Sequence, residues 1–542
     1  MSKQQIIRGT LILTAATFLS KFLGLAYTFP FEAIIGDEGG GELFSYAYDP
    51  YTILLSISTM GVPLAVSKFV AKYNALGDYE TGRRLYRSGL TLMAATGVVS
   101  FLALYSLAPF MAPKIITLES KHSVEDVVYV IRMVSTALII VPVMSLIRGF
   151  FQGYESMGPT AVSQVIEQIV RIIFLLGGAY VILNVLEGTV TQAVGFAVFS
   201  AFIGALAGLA ILIWYWMKRK SKLDQLLLKN TYQAKLSYKQ MYKELLTYAG
   251  PFVFVGIANP LFKTIDMFTF NNAMASIGKG AISGELFGLY NFWLHKLILI
   301  PVAFATAMAL TLIPTITASF TEQKNAIMKQ QISQALQIIM FLVTPAAIGM
   351  AVVSYPAYGF LYGVEDIQLG GSVLRFYAPA ALLFALFIVS TSVMQGVNQQ
   401  RYAVISLLIG LFFKLILNVP LIKLFEVYGA ISATMIGYLF AIGFNLWIIA
   451  KHTEVRYNIL MRRSLFIIIL TLLMVIFTAL TQYILQLFIA PEDGRIQSGF
   501  VLAVSMLVGV IVYGGLSYRF NLAGSLLGQR FAFLKKTKKN ID

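Results

Sequence analysis

The sequence predicts an all-α polytopic membrane protein with fourteen transmembrane helices. They form two six-helix lobes related by parallel duplication, followed by two C-terminal helices. Three observations carry that prediction. The first is composition: of 542 residues, 58% are hydrophobic and only 12% charged, with a mean hydropathy of +0.77. A soluble chain carries about 25% charged residues, so a water-soluble globule of this size is excluded. The second is a recurrence of apolar runs near the length that crosses a bilayer, about 20 residues in a helix. The third is a set of short matches that repeat along the chain at one constant offset.

Taken in order, the apolar runs lie at 10–35, 50–71, 88–111, 127–150, 159–184, 189–217, 245–272, 285–313, 337–358, 372–396, 402–425, 428–450, 463–489 and 497–518. Pro30 and Glu32 interrupt the first, and the next run follows at once, so no cleaved signal peptide is expected. Placing the N-terminus inside puts only Lys114, Lys121, Arg132, Lys279, Arg375, Lys423 and Arg495 on the outer side; most of the 41 basic residues then fall on inner segments. Basic residues favour the cytoplasmic side, so both termini are expected there. The net charge of +16 is therefore read as topology, with attraction to anionic lipid second and no nucleic acid implied.

Gly41-Glu42-Leu43-Phe44 recurs as Gly284-Glu285-Leu286-Phe287, and Gln152-Gly153 recurs as Gln395-Gly396 at the same offset. Arg132 matches Arg375 and Arg171 matches Lys414 in the same way, while Val124-Glu125-Asp126 reappears as Val364-Glu365-Asp366 at nearly that offset. Six spans per copy is an even number, so both copies enter the membrane in the same direction, and transporters of this kind place substrate between the halves. The expected organisation is an N-lobe at 1–217, a basic linker at 218–244, a C-lobe at 245–450, a helix pair at 451–518 and a basic tail at 519–542.

Ionisable residues inside spans cost at least about 2.5–3.5 kcal/mol each and normally face protein or water. Five cations meet that description: Lys21, Arg171, Lys263, Lys296 and Lys414. The acids at comparable depth are Glu167 and Asp266, with Glu32, Asp49 and Glu285 toward the outer ends. The spacing allows Glu167 to neutralise Arg171, and Asp266 to neutralise Lys263, on one helix face. Lys21 and Lys296 have no close acid in sequence, and such cations facing a shared cavity would attract a polyanion, of which a diphosphate is the obvious case. Asp266 is the candidate for ion coupling and Asn418 for a neutral ligand. There is no cysteine and there are three histidines, so no thiolate or histidine metal centre and no cofactor is expected. Prolines within the spans, Pro142, Pro301 and Pro345 among them, are read as kinks and as points of bending.

Several segments resemble a known family. Ser20-Lys21-Phe22-Leu23-Gly24 is similar to the Ser-Arg-x-x-Gly element of the MurJ-type lipid II flippases, within the MOP (multidrug/oligosaccharidyl-lipid/polysaccharide) exporter superfamily. Gly61-Val62-Pro63-Leu64-Ala65-Val66-Ser67-Lys68 resembles the Pro-x-x-x-Ser segment that closes span two in the polysaccharide-exporter branch. Arg148-Gly149-Phe150-Phe151-Gln152-Gly153 and Val393-Met394-Gln395-Gly396 resemble that branch's paired ends of spans four and ten. The resemblance covers nearly the whole chain and is closest to the Gram-positive, sporulation-protein-like group. It implies two lobes around a cationic cavity, with basic residues on spans one and eight, here Lys21 and Lys296, on the substrate. Lysine stands where arginine is usual, a second span-one arginine is Tyr27, and a basic pair on span two is replaced within Leu54-Leu55-Ser56.

The function implied by the resemblance is that of a flippase of the bacterial cell membrane. It would move an undecaprenyl-diphosphate-linked peptidoglycan precursor from the inner to the outer leaflet by alternating access. Its partners would be that lipid-linked glycan diphosphate, membrane lipid and cell-wall synthesis proteins. The substrate-binding set is Lys21, Lys263, Lys296, Arg171 and Lys414, with Asp266, Glu167, Glu32, Asp49 and Asn418 for coupling or charge pairing. The last two spans would form a groove for the lipid tail. A flippase for another polyprenyl-linked glycan shares all these features. A cation-coupled multidrug exporter would favour acids in the cavity, and a membrane glycosyltransferase or ligase would show clustered acids or histidines, which this sequence lacks.

Overall fold

A computed structural model describes residues 3–36, 39–59, 61–228, 237, 240, 256–455, 457–522 and 524. Among these residues every regular element is helical, and eleven segments are long and apolar enough to cross a membrane. In lipid each backbone N–H and C=O must be satisfied within its own segment, which selects helices. The chain divides into two compact units, Met1–Phe292 and Trp293–Asp542.

The first unit contains α1 (Lys3–Ala26), α2 (Thr28–Ile35), α3 (Gly40–Thr59), α4 (Val62–Ala75), α5 (Tyr79–Ile115), α6 (Val124–Ser135), α7 (Ala137–Gly153), α8 (Met157–Asn184), α9 (Val190–Leu227), α10 (Ala258–Ala275) and α11 (Gly280–Gly288). Helix starts follow local chemistry. Asp78 accepts from the Thr81 amide at the head of α5, and Ser123 and Thr189 form capping boxes with Asp126 and Gln192 at α6 and α9. Close packing rests on small residues, as is usual between membrane helices. Gly149 and Gly153, one turn apart on α7, face α4; a Cβ there would lie 2.3 Å from the Pro63 carbonyl oxygen or 2.8 Å from that of Ser67. The segment matched to span four of the exporter branch is thus a packing seam. Gly204 and Gly208 of α9 do the same against Glu167 and Arg171 of α8. Around these seams Val66, Leu85, Met93, Met144, Phe150 and Leu212 form an apolar core.

The second unit contains α12 (His295–Thr321), α13 (Asn325–Val352), α14 (Ser354–Tyr362), α15 (Ile367–Tyr377), α16 (Ala380–Gly396), α17 (Gln400–Thr453), α18 (Asn458–Gln486) and α19 (Arg495–Arg519). A π-helical turn at Leu289–Leu294 precedes α12. Helix α17 is two legs: Glu426 breaks it with φ 55° and ψ −130°. The Lys414 Nζ reaches the Thr434 hydroxyl at 2.7 Å, whereas twenty residues of straight helix span about 30 Å. The legs therefore run antiparallel, matching the runs at 402–425 and 428–450. Helix α18 packs on α13 through Phe341, Ile467 and Leu470, α19 packs on α18 and α14, and the pair shows Leu472, Ile476, Leu480, Val510 and Ile511 on its outside.

The expected basic linker begins as a continuation of α9, which runs to Leu227. Most of its remainder, the first part of the expected seventh span and the tail from 525 lie outside the described residues.

Candidate functional site

One group of charges in unit 1 lies at the end where α5 stops and α6 begins and along α3. Asp49 on α3 is almost wholly buried, 3% exposed, and uses each carboxylate oxygen once. Lys263 Nζ of α10 lies 2.7 Å from Oδ1, and the Asn291 side-chain amide donates to Oδ2 at 2.7 Å. The spacing on α10 suggested Asp266 as the lysine's counter-ion; the ion pair instead runs to Asp49. Asp266 is buried on the same helix. Toward the helix ends, Asn271 donates to the Tyr46 hydroxyl and the Ile115 carbonyl, and Asn272 to the Lys114 carbonyl at 3.0 Å. Tyr46 stacks on Phe287, and Phe44 packs on Phe292.

At this end the two copies of the repeated tetrapeptide meet. Glu42 of the first lies so close to Gly284 of the second that a Cβ there would stand 1.5 Å from its carboxylate, and Gly288 is packed against the Glu42 amide. The Glu42 carboxylate pairs with His122 Nε2 at 3.1 Å, and the same ring nitrogen lies 3.3 Å from the Gly39 carbonyl oxygen. Burial works against the His122 imidazolium. The Glu42 hydrogen bond and charge, the Gly39 carbonyl and the Asp126 charge outweigh it and raise the pKa above the usual histidine value. Lys121 and Glu285 add an exposed pair at 3.2 Å.

On α8 Glu167 and Arg171, which the spacing allows to neutralise each other, make their hydrogen bonds with different neighbours. Glu167 takes Arg148 of α7 at 2.6 Å, and Arg148 also donates to the Ser163 hydroxyl at 2.7 Å. Arg171 donates to the Tyr48 hydroxyl and lies over its ring, 5.2 Å from the centroid. Four residues apart on one face satisfies reach; the closer cations and acceptors on neighbouring helices won. Lys21 is exposed on α1 and makes no ion pair among the described residues, and Glu32 is half-buried on α2.

In unit 2, Lys296 is half-buried in the first turn of α12, beside His295, whose Nδ1 lies 2.7 Å from the Tyr377 hydroxyl. A π-helical turn immediately before a charged residue is a frequent mark of function. Lys414 is 0% exposed and donates to the Ala430 carbonyl at 3.0 Å and the Thr434 hydroxyl at 2.7 Å; Asn418, a turn later, is buried too. Asn291, Tyr48, Glu42 and His122 were not singled out from the sequence. The repeated Gly-Glu-Leu-Phe was the available signal for Glu42, read as ancestry and not as contact.

Membrane-length helices and cations held within each unit define a polytopic membrane protein. Solved structures share the fold: "Lipid II flippase MurJ, inward closed conformation" at TM-score 0.66 and 15% identity, covering 94% of this chain and 98% of that one. An inward-facing multidrug resistance MATE family transporter of the MOP superfamily follows at TM-score 0.61 and 14% identity, covering 81% and 96%. The family described as "Polysaccharide biosynthesis protein" matches residues 6–320. "Lipid II flippase MurJ" of Bacillus subtilis (strain 168) is 46% identical over 539 residues, 98% of each chain, and "Stage V sporulation protein B" of the same strain is 26% identical over 418 residues, 76% of this chain and 77% of that one. The chain belongs to the polysaccharide biosynthesis protein family and, within it, to the MurJ family.

Proposed function

We propose that the chain carries lipid II, the undecaprenyl-diphosphate-linked peptidoglycan precursor, from the inner to the outer leaflet of the bacterial cell membrane by alternating access. The observation that carries this reading is the 46% identity, over 98% of both chains, to a lipid II flippase. Fourteen spans with both termini cytoplasmic agree with the distribution of basic residues; the charged end of unit 1 built on Glu42 and His122 is then the outer end. In this scheme the repeats at 1–217 and 245–450 rock as lobes, and the helix pair at 451–518 holds the lipid tail.

The diphosphate docks on Lys21, Lys263 and Lys296. Lys21 supports this best, being an exposed membrane-helix cation with no ion pair among the described residues. Arg171 and Lys414, placed with the substrate cations on sequence grounds, we now assign to the framework: each is committed to protein acceptors. A flippase for another polyprenyl-linked glycan remains the alternative that the test separates. In a bacterium depleted of its own lipid II flippase, the unmodified chain restores growth, whereas Lys21→Ala and Lys296→Ala at equal expression do not. Failure of the well-expressed unmodified chain would reject lipid II; rescue by all three would reject the cationic site.

A further inference from the structure

Lys263 is offered to the substrate in the scheme above, yet its ammonium is already held by Asp49. The way it is held suggests a use. We propose that Asp49 is a positioning residue that keeps Lys263 in reserve: while the site is empty the carboxylate clamps α3 to α10 and to Asn291, and an arriving diphosphate takes the lysine over and frees α3 from α10. The proposal rests on the diphosphate reading of the substrate.

Geometry and chemistry both support it. The carboxylate is shared by three elements, one oxygen on Lys263 and one on Asn291, each at 2.7 Å, so loss of the lysine loosens a junction and not merely a pair. Burial is unequal: Asp49 is 3% exposed and Lys263 19%, so an incoming anion meets the lysine first. Lysine suits exchange, because its ammonium is a point charge on a flexible stem, without the fixed fork of arginine. Asp49, once released, keeps the Asn291 amide and is not left bare. In a poorly solvated site an ammonium exchanges one anion for another more readily than it stands alone, and a diphosphate carries more charge than one carboxylate. Tyr46, one turn before Asp49 on α3, joins Asn271, so the clamp is continuous with the joint above it.

The chain has no cysteine, so Ser45→Cys, at a buried site on α3, gives a reporter without background. The full chain in lipid nanodiscs is exposed to a water-soluble maleimide, and lipid II binding is titrated in parallel. We expect lipid II to speed labelling of the otherwise unmodified chain about tenfold, and Asp49→Asn to label at the fast rate without it. Asp49→Asn should bind lipid II at least as tightly as the unmodified chain, Lys263→Gln about tenfold more weakly, and Asp49→Glu should restore slow labelling. A purely structural pair would weaken binding alike from either side; equal weakening overturns the proposal, as does lipid II that binds without changing labelling. If lipid II does not bind, the substrate reading fails first, and undecaprenyl diphosphate then decides the exchange. Accelerated labelling by that simpler lipid keeps the clamp; its failure to bind or to accelerate removes it.

Discussion

Arg171 and Lys414 lie at the offset that separates the repeated segments of the sequence, and each holds its charge in its own way. Arg171 on α8 looks outward from its own helix: it donates to the Tyr48 hydroxyl on α3 and covers that ring. Lys414 looks inward: its ammonium closes on the Ala430 carbonyl and Thr434 hydroxyl of the next leg of α17 and is wholly buried. A planar guanidinium can stack and bond to a neighbouring helix at once, whereas an ammonium needs oxygens arranged around a point. The first cation ties α8 to α3, and the second pins the return of a hairpin. The sequence offset relates the two positions; the role of each is set by what its neighbouring helices offer.

The largest expected effect breaks the Lys414 side of this comparison. Lys414→Ala removes a fully buried stem and should cost about 2–5 kcal/mol, as for other long side chains cut to alanine in a packed interior. Thermal unfolding in detergent measures it, and Lys414→Met, which keeps the volume, should recover the packing share. A loss no larger than at lipid-facing positions such as Leu472 would show that the hairpin does not depend on this residue. Arg171→Lys should cost less, about 1–2 kcal/mol, because the charge stays while the stack and fork go. Tyr48→Phe keeps the ring and removes only the acceptor, about 1 kcal/mol. In a double-mutant cycle the two substitutions should be non-additive; additivity would mean that the α8–α3 contact carries no energy of its own.

The same contrast explains what the sequence made legible. The all-helical membrane class and the two legs of α17 follow from hydropathy and spacing, because each depends on a helix and its solvent alone. Eleven membrane-length helices are found among the described residues where fourteen runs were expected. Counter-ions do not follow in that way. Lys263 and Asp266, or Glu167 and Arg171, are good pairs on an isolated helix, but Asp49 and Arg148 arrive from other helices with better geometry. Which acid reaches which base is a property of packing, and the glycines that permit it, Gly204 and Gly208 beside Glu167 and Arg171, read in sequence as ordinary membrane-helix residues. The meeting of Gly41-Glu42 with Gly284 was hidden for a different reason: a repeat shows that two segments are related, and says nothing of whether they touch.

His122 sharpens the comparison, being a buried histidine whose charged form is favoured by its acidic neighbours. It sits in the loop between α5 and α6. The groups acting on it are Glu42 from α3, the Gly39 carbonyl and Asp126 from α6, with the Lys121–Glu285 pair alongside. Its pKa in the joined state lies above the ordinary value of 6.5. The imidazolium–Glu42 pair therefore contributes fully below that ordinary value and is lost as pH rises through the raised one. Alkaline medium should accordingly loosen the joint, seen as faster labelling of Ser45→Cys as pH increases across neutrality, after correction for the reagent's own pH dependence. His122→Gln should flatten that profile while leaving a joint held by Asn271 and the Tyr46–Phe287 stack, so its effect on stability is the smallest of the series. A profile unchanged by His122→Gln would place the titrating group elsewhere. Acid loosening would reverse the sign and reject the pair as the element that closes this end.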